Sequence, residues 1–482
     1  MQRIIAKPNE NPTETKSTAL ILGPAGGNPG ISLSKQSKTY RRAQRFSNSR
    51  CYSHRSAAPE LSGWHAYQLG GDAMQFDTGN TGFMLLATSL VMLMTPGLAF
   101  FYGGLVGRKN VLTIMIQSYV SMGVTTVLWV LVGYSMCFGT DIGGIIGGFD
   151  YVLLKGIDLN QVFSPDNNIP LIVFVAYQMM FAIITPALIT GAFANRVSFK
   201  AYLIFLVAWL LLVYFPFVHM VWGGGILQQW GVLDFAGGIV VHAIAGMAAL
   251  ASVFYVGKRK VIDSGPHSIP LVALGTGLLW FGWYGFNAGS ELKVDGVTAQ
   301  AFLNTDIAAS FAAIVWLIMD WYKSHKPKFV GLLTGAVAGL ATITPAAGFV
   351  TTDAAIIIGC SAGFVCYFAV AMKNRLGWDD ALDVWGVHGV GGILGVILLG
   401  VFATVAVNPN GADGLLFGGT DFFMKQLVAV VAASIYAFLF SYVMLIIINK
   451  ITPVRVSEAD ELGLDEKLHG ETAYLDDGSF EG

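Results

Sequence analysis

The chain has 482 residues and a formal net charge of −2, and charged residues make up only 12% of the sequence, about half the share found in soluble domains. Hydrophobic residues make up 54%. This composition excludes a soluble enzyme, a disordered protein and a nucleic-acid-binding protein, which would need a basic surface. The four cysteines form no CxxC pair, so neither a zinc site nor a disulfide framework is indicated.

The N-terminal segment differs in composition from the rest of the chain. It contains ten basic residues between Arg3 and Arg55, many serines and few acids. Three interpretations are open: an over-called start codon, a cleaved targeting sequence, or a long translocated extension. Met74 begins a compact segment just before the first apolar stretch, which favours an N-terminal extension, residues 1–76, that is disordered or absent from the mature protein. The Arg- and Ser-rich composition keeps a transit peptide open.

Apolar stretches recur from Thr81 to Lys450, each close to the ~20 residues with which a helix crosses a bilayer. They predict an all-α membrane protein with a transmembrane domain over residues 77–450 and a cytoplasmic C-terminal tail over 451–482. The predicted spans number eleven: 81–102, 111–138, 169–192, 199–222, 236–256, 269–288, 300–321, 329–350, 354–372, 384–406 and 422–449.

Lysine and arginine in the short loops predict the orientation of these spans. One set of alternate loops carries twelve basic residues, whereas the other carries two, or three if Lys425 is counted. The richer set is expected in the cytoplasm. We therefore predict a multi-pass protein of the plasma (inner) membrane, with the start of the first span outside and the C-terminus in the cytoplasm.

Two short motifs recur five spans apart in the same order. The sequence Ile-Thr-Pro-Ala occurs at 184–187 and 343–346, and an aspartate precedes a histidine by eight residues at Asp234/His242 and Asp380/His388. Together they predict two five-helix repeats followed by a final helix. Because five is odd, the second repeat must be inverted, an arrangement typical of transporters whose site lies near mid-membrane.

Ionisable groups inside apolar spans are candidates for function, because a central charge costs at least ~2.5–3.5 kcal/mol. His242 and His388 take equivalent positions in the two repeats, where an inverted two-fold axis would bring their rings together. Such a pair could relay protons or bind a small polar solute. Two unrelated core histidines, or a pair of haem ligands, remain as alternatives. The candidates are Asp234, His242, Asp306, Asp383 and His388, with His219 near an outer end.

The aspartates and the aromatic clusters each have a structural and a functional interpretation. Asp234 could cap span 5 or attract a cation, whereas capping is favoured for Asp380 and Asp383 before span 10. Glycine-flanked aromatic clusters at 219–225 and 281–290 could bind a cation weakly. From their spacing alone, anchoring at the membrane interface is the favoured interpretation.

At these residues the sequence resembles the ammonium transporters of the Amt/Mep/Rh family. The resemblance covers about residues 77–475, nearly everything after the N-terminal extension. The matching motifs are MTPGLAFFYGGLV at 94–106, DFAGGIVVH at 234–242, GWYGFNAGS at 282–290, DVWGVHGVGG at 383–392 and GLDEKLHGETAY at 463–474.

The resemblance implies a homotrimer of eleven-span subunits, each with its own pore. Trp222 favours the Amt branch, and Tyr177 stands where some relatives carry Phe. No cofactor or metal is implied. The implied roles are substrate binding by Trp222, Phe181 and Ser290, a pore gate of Phe181 and Phe286, pore histidines at His242 and His388, and support from Asp234 and Asp380.

The resulting hypothesis is a transporter rather than an enzyme. An outer aromatic site would recruit ammonium, which would lose its proton and cross the apolar pore as ammonia, since an ion would incur the membrane penalty. By the resemblance, a PII-type signalling protein could bind the cytoplasmic face. The alternative is an ammonium-sensing membrane receptor without transport, against which the tail of about 30 residues argues.

Overall fold

The protein is described by a computed structural model that covers residues 76–261 and 265–474. The N-terminal extension predicted for residues 1–76 therefore lies outside the described residues, apart from Phe76. The described part is almost entirely helical. Its only strands, β1 (Asp141–Ile142) and β2 (Ile146–Gly147), pair antiparallel in a short ribbon.

The main helices match the predicted spans one for one, and ten of the eleven in the described residues are long and apolar enough to cross a membrane. The remaining one, α8, has fifteen residues. The helices are α1 Thr78–Leu105, α2 Val111–Phe138, α3 Leu171–Phe193, α4 Phe199–Trp230, α5 Gly238–Val256, α6 Ile269–Glu291, α7 Gly296–Ser324, α8 Phe329–Ile343, α9 Thr352–Leu376, α10 Trp385–Phe402 and α11 Thr420–Ile451.

Helix α8 is shorter than the stretch 329–350 predicted from hydropathy. It ends at Ile343, immediately before Thr344 and Pro345. Proline has no backbone N–H and its ring clashes with the preceding turn, so a helix tends to end there. Residues 344–350 are nevertheless buried, and apolar content alone could not distinguish this buried turn from a continuing helix.

Helices α5 and α10 approach each other more closely than side chains would permit. A Cβ added to Gly246 would lie 2.1 Å from the Cα of Gly389, and one added to Gly392 would lie 2.7 Å from the Cβ of His242. Small residues allow such close contact between membrane helices. The glycines thus place the two histidine-bearing segments directly against each other.

Both histidine-bearing segments are wider than an α-helix. A π-helical turn covers Gly238–Ala243 in α5 and another covers Trp385–Gly389 in α10. Turns of this kind are rare and occur frequently at functional sites. Each one contains the histidine of its Asp-to-His motif, His242 or His388.

The C-terminal tail packs on one end of the bundle, called the tail end below. Asp465 accepts hydrogen bonds from Leu112 N (3.0 Å) and Thr113 N (2.7 Å), so it caps the start of α2 from a distant part of the chain. Ser198 N donates to Val454 O at 2.8 Å, which ties the start of α4 to the end of α11. The tail therefore connects the starts of α2 and α4, and a hydropathy profile contains no signal for these contacts. The opposite end of the bundle is called the Trp222 end.

Candidate functional site

An aromatic recess of about 170 Å³ opens at the Trp222 end. The ring of Phe181 meets Trp222 edge-on at 6.0 Å between centroids. Trp222 Nε1 donates to the backbone carbonyl of Asp234 at 2.8 Å, which fixes the indole against the start of α5. The recess is lined by Phe163, Phe174, Gln178, Phe181, Trp222, Gln228, Phe235, Ser290 and Leu292.

Two phenyl rings close the floor of the recess. Phe181 on α3 and Phe286 on α6 lie 4.2 Å apart between centroids, at 31°. Both residues are 1% exposed. The structure thus brings together the predicted recruitment residues Trp222, Phe181 and Ser290 and places the predicted gate pair directly beneath them.

Two residues at or next to the recess, Tyr177 and Gln178, have positions or contacts that the sequence did not reveal. The hydroxyl of Tyr177 lies 2.9 Å from the carbonyl of Phe286 and 3.3 Å from Ser290 Oγ, and Ser290 in turn donates to the same carbonyl at 2.9 Å. Gln178 was not predicted at all. Its position three residues before Phe181 on one helix face is the signal that could have identified it.

Below the rings, the two histidines meet in a narrow apolar chamber. His242 Nδ1 and His388 Nδ1 lie 3.3 Å apart, so one ring donates to the other. His242 is 1% exposed, and its Nε2 has no hydrogen-bond partner among the described residues. The chamber measures about 10 Å³, near the lower limit for one water-sized molecule. Its other lining residues are Met94, Leu98, Phe101, Ile184, Leu188, Val241, Leu279, Trp283, Phe286 and Val337.

Trp283 supports the His242 ring from one side. The two rings stack at 5.4 Å and 20°, and Trp283 Nε1 donates to Thr344 Oγ1 at 2.9 Å. Thr344 belongs to the second Ile-Thr-Pro-Ala motif and follows the end of α8. The end of the short helix α8 therefore contacts His242 through this indole, an arrangement that the sequence motif did not reveal.

Asp234 caps the start of α5. Its carboxylate accepts from four backbone amides, Gly237, Gly238, Ile239 and Val240, at 2.6–3.2 Å. Burial raises the pKa of Asp234 above its usual value, and these four bonds act in the opposite direction. Asp234 thus has the helix-capping role that was one of its two predicted interpretations.

Asp380 caps α10 in the same way, and Asp383 does not. Asp380 accepts from Val384 N (3.1 Å) and Trp385 N (2.8 Å). Burial raises its pKa to about 6, against the opposing influence of Lys373. The carboxylate of Asp383 instead forms an ion pair with Lys373 at 2.7 Å. The capping expectation for Asp383 is wrong. Its backbone is left-handed, with φ of 60°, whereas a capping residue usually has an extended backbone.

A larger vestibule of about 270 Å³ continues from the chamber to the tail end. Chamber and vestibule share Phe101, Val337 and His388. Asp383 and Arg259 also line the vestibule. The Arg259 guanidinium binds the Asp379 carboxylate at 2.8 Å. Burial would raise the pKa of Asp379, but the arginines beside it hold that pKa below its usual value.

Two of the predicted ionisable candidates lie outside this pathway. His219 is buried and has both ring nitrogens engaged, by Cys137 O and by Asp141 Oδ1, each at 2.9 Å. Asp306, on α7, accepts from the Tyr284 hydroxyl at 2.7 Å. Among the described residues, no group of three or more His, Cys, Asp or Glu is placed to hold a metal ion.

The recess, rings, chamber and vestibule follow one another through a bundle of membrane-spanning helices. A ring-closed aromatic recess that leads to an apolar chamber defines a membrane transport protein for a small polar solute. Residues 82–474 match the model of the Ammonium Transporter Family. The chain belongs to this family, in its Amt/Mep branch.

Individual relatives agree with this assignment. The chain is 47% identical over 401 residues to an ammonium transporter of Bacillus subtilis (strain 168), covering 83% of this chain and 99% of that protein. The crystal structure of Candida albicans Mep2 is similar with a TM-score of 0.75 and 35% identity, over 80% of this chain and 88% of that one. A structure described as a sensor Amt protein is similar with a TM-score of 0.74 and 29% identity, over 80% and 97% of the two chains.

Proposed function

We propose that this protein recruits ammonium at the aromatic recess, where the ion gives a proton to solvent water next to the closed ring pair. Ammonia then passes His242 and His388 and takes up a proton from water beyond them. The observation that carries the proposal is the unpartnered Nε2 of His242, which lies in a chamber for one small molecule directly below two closed rings. Ammonium transport by the family supports it.

The recess suits a small cation that donates hydrogen bonds. The rings of Phe181 and Trp222 offer faces that attract cations, each contributing ~0.5–2 kcal/mol. Ser290 Oγ directs its own proton to a backbone carbonyl, so its lone pairs remain for an N–H of the solute. Ammonium and potassium are similar in size, and the directional acceptor favours the ion that has N–H groups.

The chamber suits ammonia better than ammonium. None of the described residues that line it carries a carboxylate, so an ion there would incur the burial penalty of a membrane interior. Of two bonded neutral imidazoles, one directs a lone pair and the other an N–H away from the shared bond. Ammonia, which both donates and accepts, complements this pair.

The two Asp-to-His segments support the predicted inverted repeats. In each segment an aspartate accepts from the backbone at the start of a π-helical turn, and the histidine lies within that turn. The threonines of both Ile-Thr-Pro-Ala motifs also bond alike, Thr185 to Phe181 O and Thr344 to Leu340 O. We infer eleven spans, with α8 as a short one, in two inverted sets of five plus α11.

The basic residues of the tail end support an orientation with that end in the cytoplasm. We therefore place the Trp222 end outside and the protein in the plasma (inner) membrane, with residues 77–450 as the transmembrane domain and 451–482 as the tail. The vestibule would then be the surface available to a PII-type signalling protein. A pull-down with purified PII protein, repeated after deletion of residues 452–482, tests this partner.

The exposed flank of α6 and α7 supports contact with a neighbouring copy, as the proposed homotrimer requires. Asp306 is only half-buried and has the Tyr284 hydroxyl as its hydrogen-bond partner. Phe281, Phe302 and Leu303, on the same two helices, are 48–56% exposed. A carboxylate facing lipid is costly, and a neighbouring copy would cover it. Native mass spectrometry of the detergent-solubilised protein should give three copies per particle.

Ammonium sensing without transport is the second candidate, because a sensor Amt protein shares the fold. Uptake of radiolabelled methylammonium by cells that lack ammonium transport separates the two functions. We expect uptake by the wild type, and uptake with lost selectivity over potassium by the double variant His242→Ala/His388→Ala. A wild type without uptake would refute transport, and a double variant with unchanged selectivity would refute the role of the histidines.

A further inference from the structure

The aromatic recess contains a buried hydrogen-bond acceptor that is unused within the described residues. Gln178 Oε1 is shielded from solvent and has no hydrogen-bond partner there. Its side chain nevertheless lines the recess together with Phe181 and Trp222. A carbonyl oxygen that is buried without a donor is destabilising. A ligand that donates a hydrogen bond to this oxygen would remove that cost.

The other polar side chains of the recess have hydrogen-bond partners within the protein. Gln228 Oε1 accepts from Gly224 N at 2.7 Å. Ser290 Oγ gives its proton to Phe286 O at 2.9 Å and lies 3.3 Å from the Tyr177 hydroxyl. Gln178 differs from these neighbours, because its carbonyl oxygen has no hydrogen-bond partner at all within the described residues.

We propose that Gln178 is a second hydrogen-bond acceptor for the recruited cation, alongside Ser290. Gln178 lies on α3 and Ser290 at the end of α6, so the two side chains line the recess from different helices. Ammonium carries N–H groups in tetrahedral directions and can donate to both while its remaining N–H groups face the rings. The role deepens the proposed function, on which it rests.

A purely structural role for Gln178 makes a different prediction. The residue precedes Phe181 by one helical turn, so a packing defect at 178 would disturb the gate ring and change the maximal rate. A lost acceptor would instead weaken recruitment and raise the KM. Methionine, which has nearly the shape of glutamine but no carbonyl, and glutamate, which keeps the oxygen, separate these roles.

The experiment compares methylammonium uptake by wild type, Gln178→Met and Gln178→Glu, with the exposed outer-loop substitution Gln161→Leu as control. We expect Gln178→Met to raise the KM about three- to tenfold with a maximal rate within about twofold, since a tenfold change corresponds to one lost interaction of ~1.4 kcal/mol. Gln178→Glu and Gln161→Leu should keep the wild-type KM or a lower one.

Two results would overturn the inference. One is a Gln178→Met KM indistinguishable from wild type, and the other is an equal rise in the methionine and glutamate variants, which would indicate packing. Thermal stabilisation of purified protein by ammonium chloride, relative to potassium chloride, tests the same site without transport. It should be weaker in Gln178→Met, and this arm stays informative even if the wild type transports nothing.

Discussion

At the scale of single residues, Trp222 has two contacts that fix its place in the recess. The indole N–H fixes the side chain to Asp234 O, and the ring edge meets Phe181. The resemblance to the family implied that Trp222, Phe181 and Ser290 would meet. It did not predict the Gln178 acceptor or the Trp283–Thr344 bond, since both depend on side-chain directions across separate helices.

We predict that Trp222→Leu raises the KM for methylammonium. Loss of one ring face should cost ~0.5–2 kcal/mol, or about 2- to 30-fold. Uptake rates over a range of methylammonium concentrations measure the change. Trp230→Leu, an exposed tryptophan at the same end of the bundle, is the control and should leave the KM unchanged; an equal effect of both substitutions would speak against a specific role.

At the scale of elements, the two histidine-bearing segments show what a local pattern can and cannot specify. The Asp-to-His spacing predicted related segments, and both aspartates cap as that spacing suggested. The π-helical turns were not predicted, because no local residue pattern in either segment specifies their extra backbone width. The end of α8 was missed for a related reason, since its buried turn is as apolar as a helix.

We predict that Gly246→Ala is strongly destabilising. The new methyl group would lie 2.1 Å from the Gly389 backbone, and backbone cannot move aside as a flexible side chain can. Overpacking of this kind costs ~1–3 kcal/mol or more. Thermal unfolding in detergent should show a lower midpoint than for Gly277→Ala, where a Cβ would meet nothing within 4 Å. Equal unfolding midpoints of the two variants would mean that α5 and α10 can move apart and accept the new methyl group without loss of stability.

Asp380 should give the fold a pH dependence of defined sign. Its pKa is about 6 in the folded protein and ~3.9 when unfolded. The folded state therefore binds the proton more tightly, so this stabilisation is complete below about pH 4 and is lost as the pH rises through about 6, by up to ~1.4 kcal/mol per pH unit.

Asp380→Asn cannot ionise, so it removes this dependence. The unfolding midpoint of wild type minus that of Asp380→Asn, measured in detergent from pH 4.5 to 6.5, should fall as the pH rises. A difference that increases with pH would contradict the assigned pKa direction.

At the scale of the whole molecule, hydropathy predicted an all-helical membrane protein, and ten helices of the described residues are long and apolar enough to cross a membrane. The count of eleven spans stays a prediction. Hydropathy could not predict how the tail packs, because the bonds between Asp465 and the start of α2 join residues more than 350 positions apart in the chain. Long-range polar contacts of this kind leave no periodic signal in the sequence.

We predict that Asp465→Ala frees the tail from the bundle without unfolding the helices. The substitution removes a cap from α2, worth ~0.5–2 kcal/mol, and leaves Leu112 N and Thr113 N without this partner. Limited proteolysis should then cut after residue 456, in the tail, faster than in wild type. Glu471→Ala, an exposed acid in the same tail, is the control; equal cleavage of both variants would mean that Asp465 does not hold the tail.

The contact between Gly246 and Gly389 also bears on how such a protein can change over evolution. Because the two imidazoles are spaced by backbone against backbone, their separation does not depend on the size of any intervening side chain. The outer faces of the helices can accumulate substitutions while the distance between the rings stays constant. A designer who wished to change the distance between the rings would have to rebuild two main chains rather than exchange a residue.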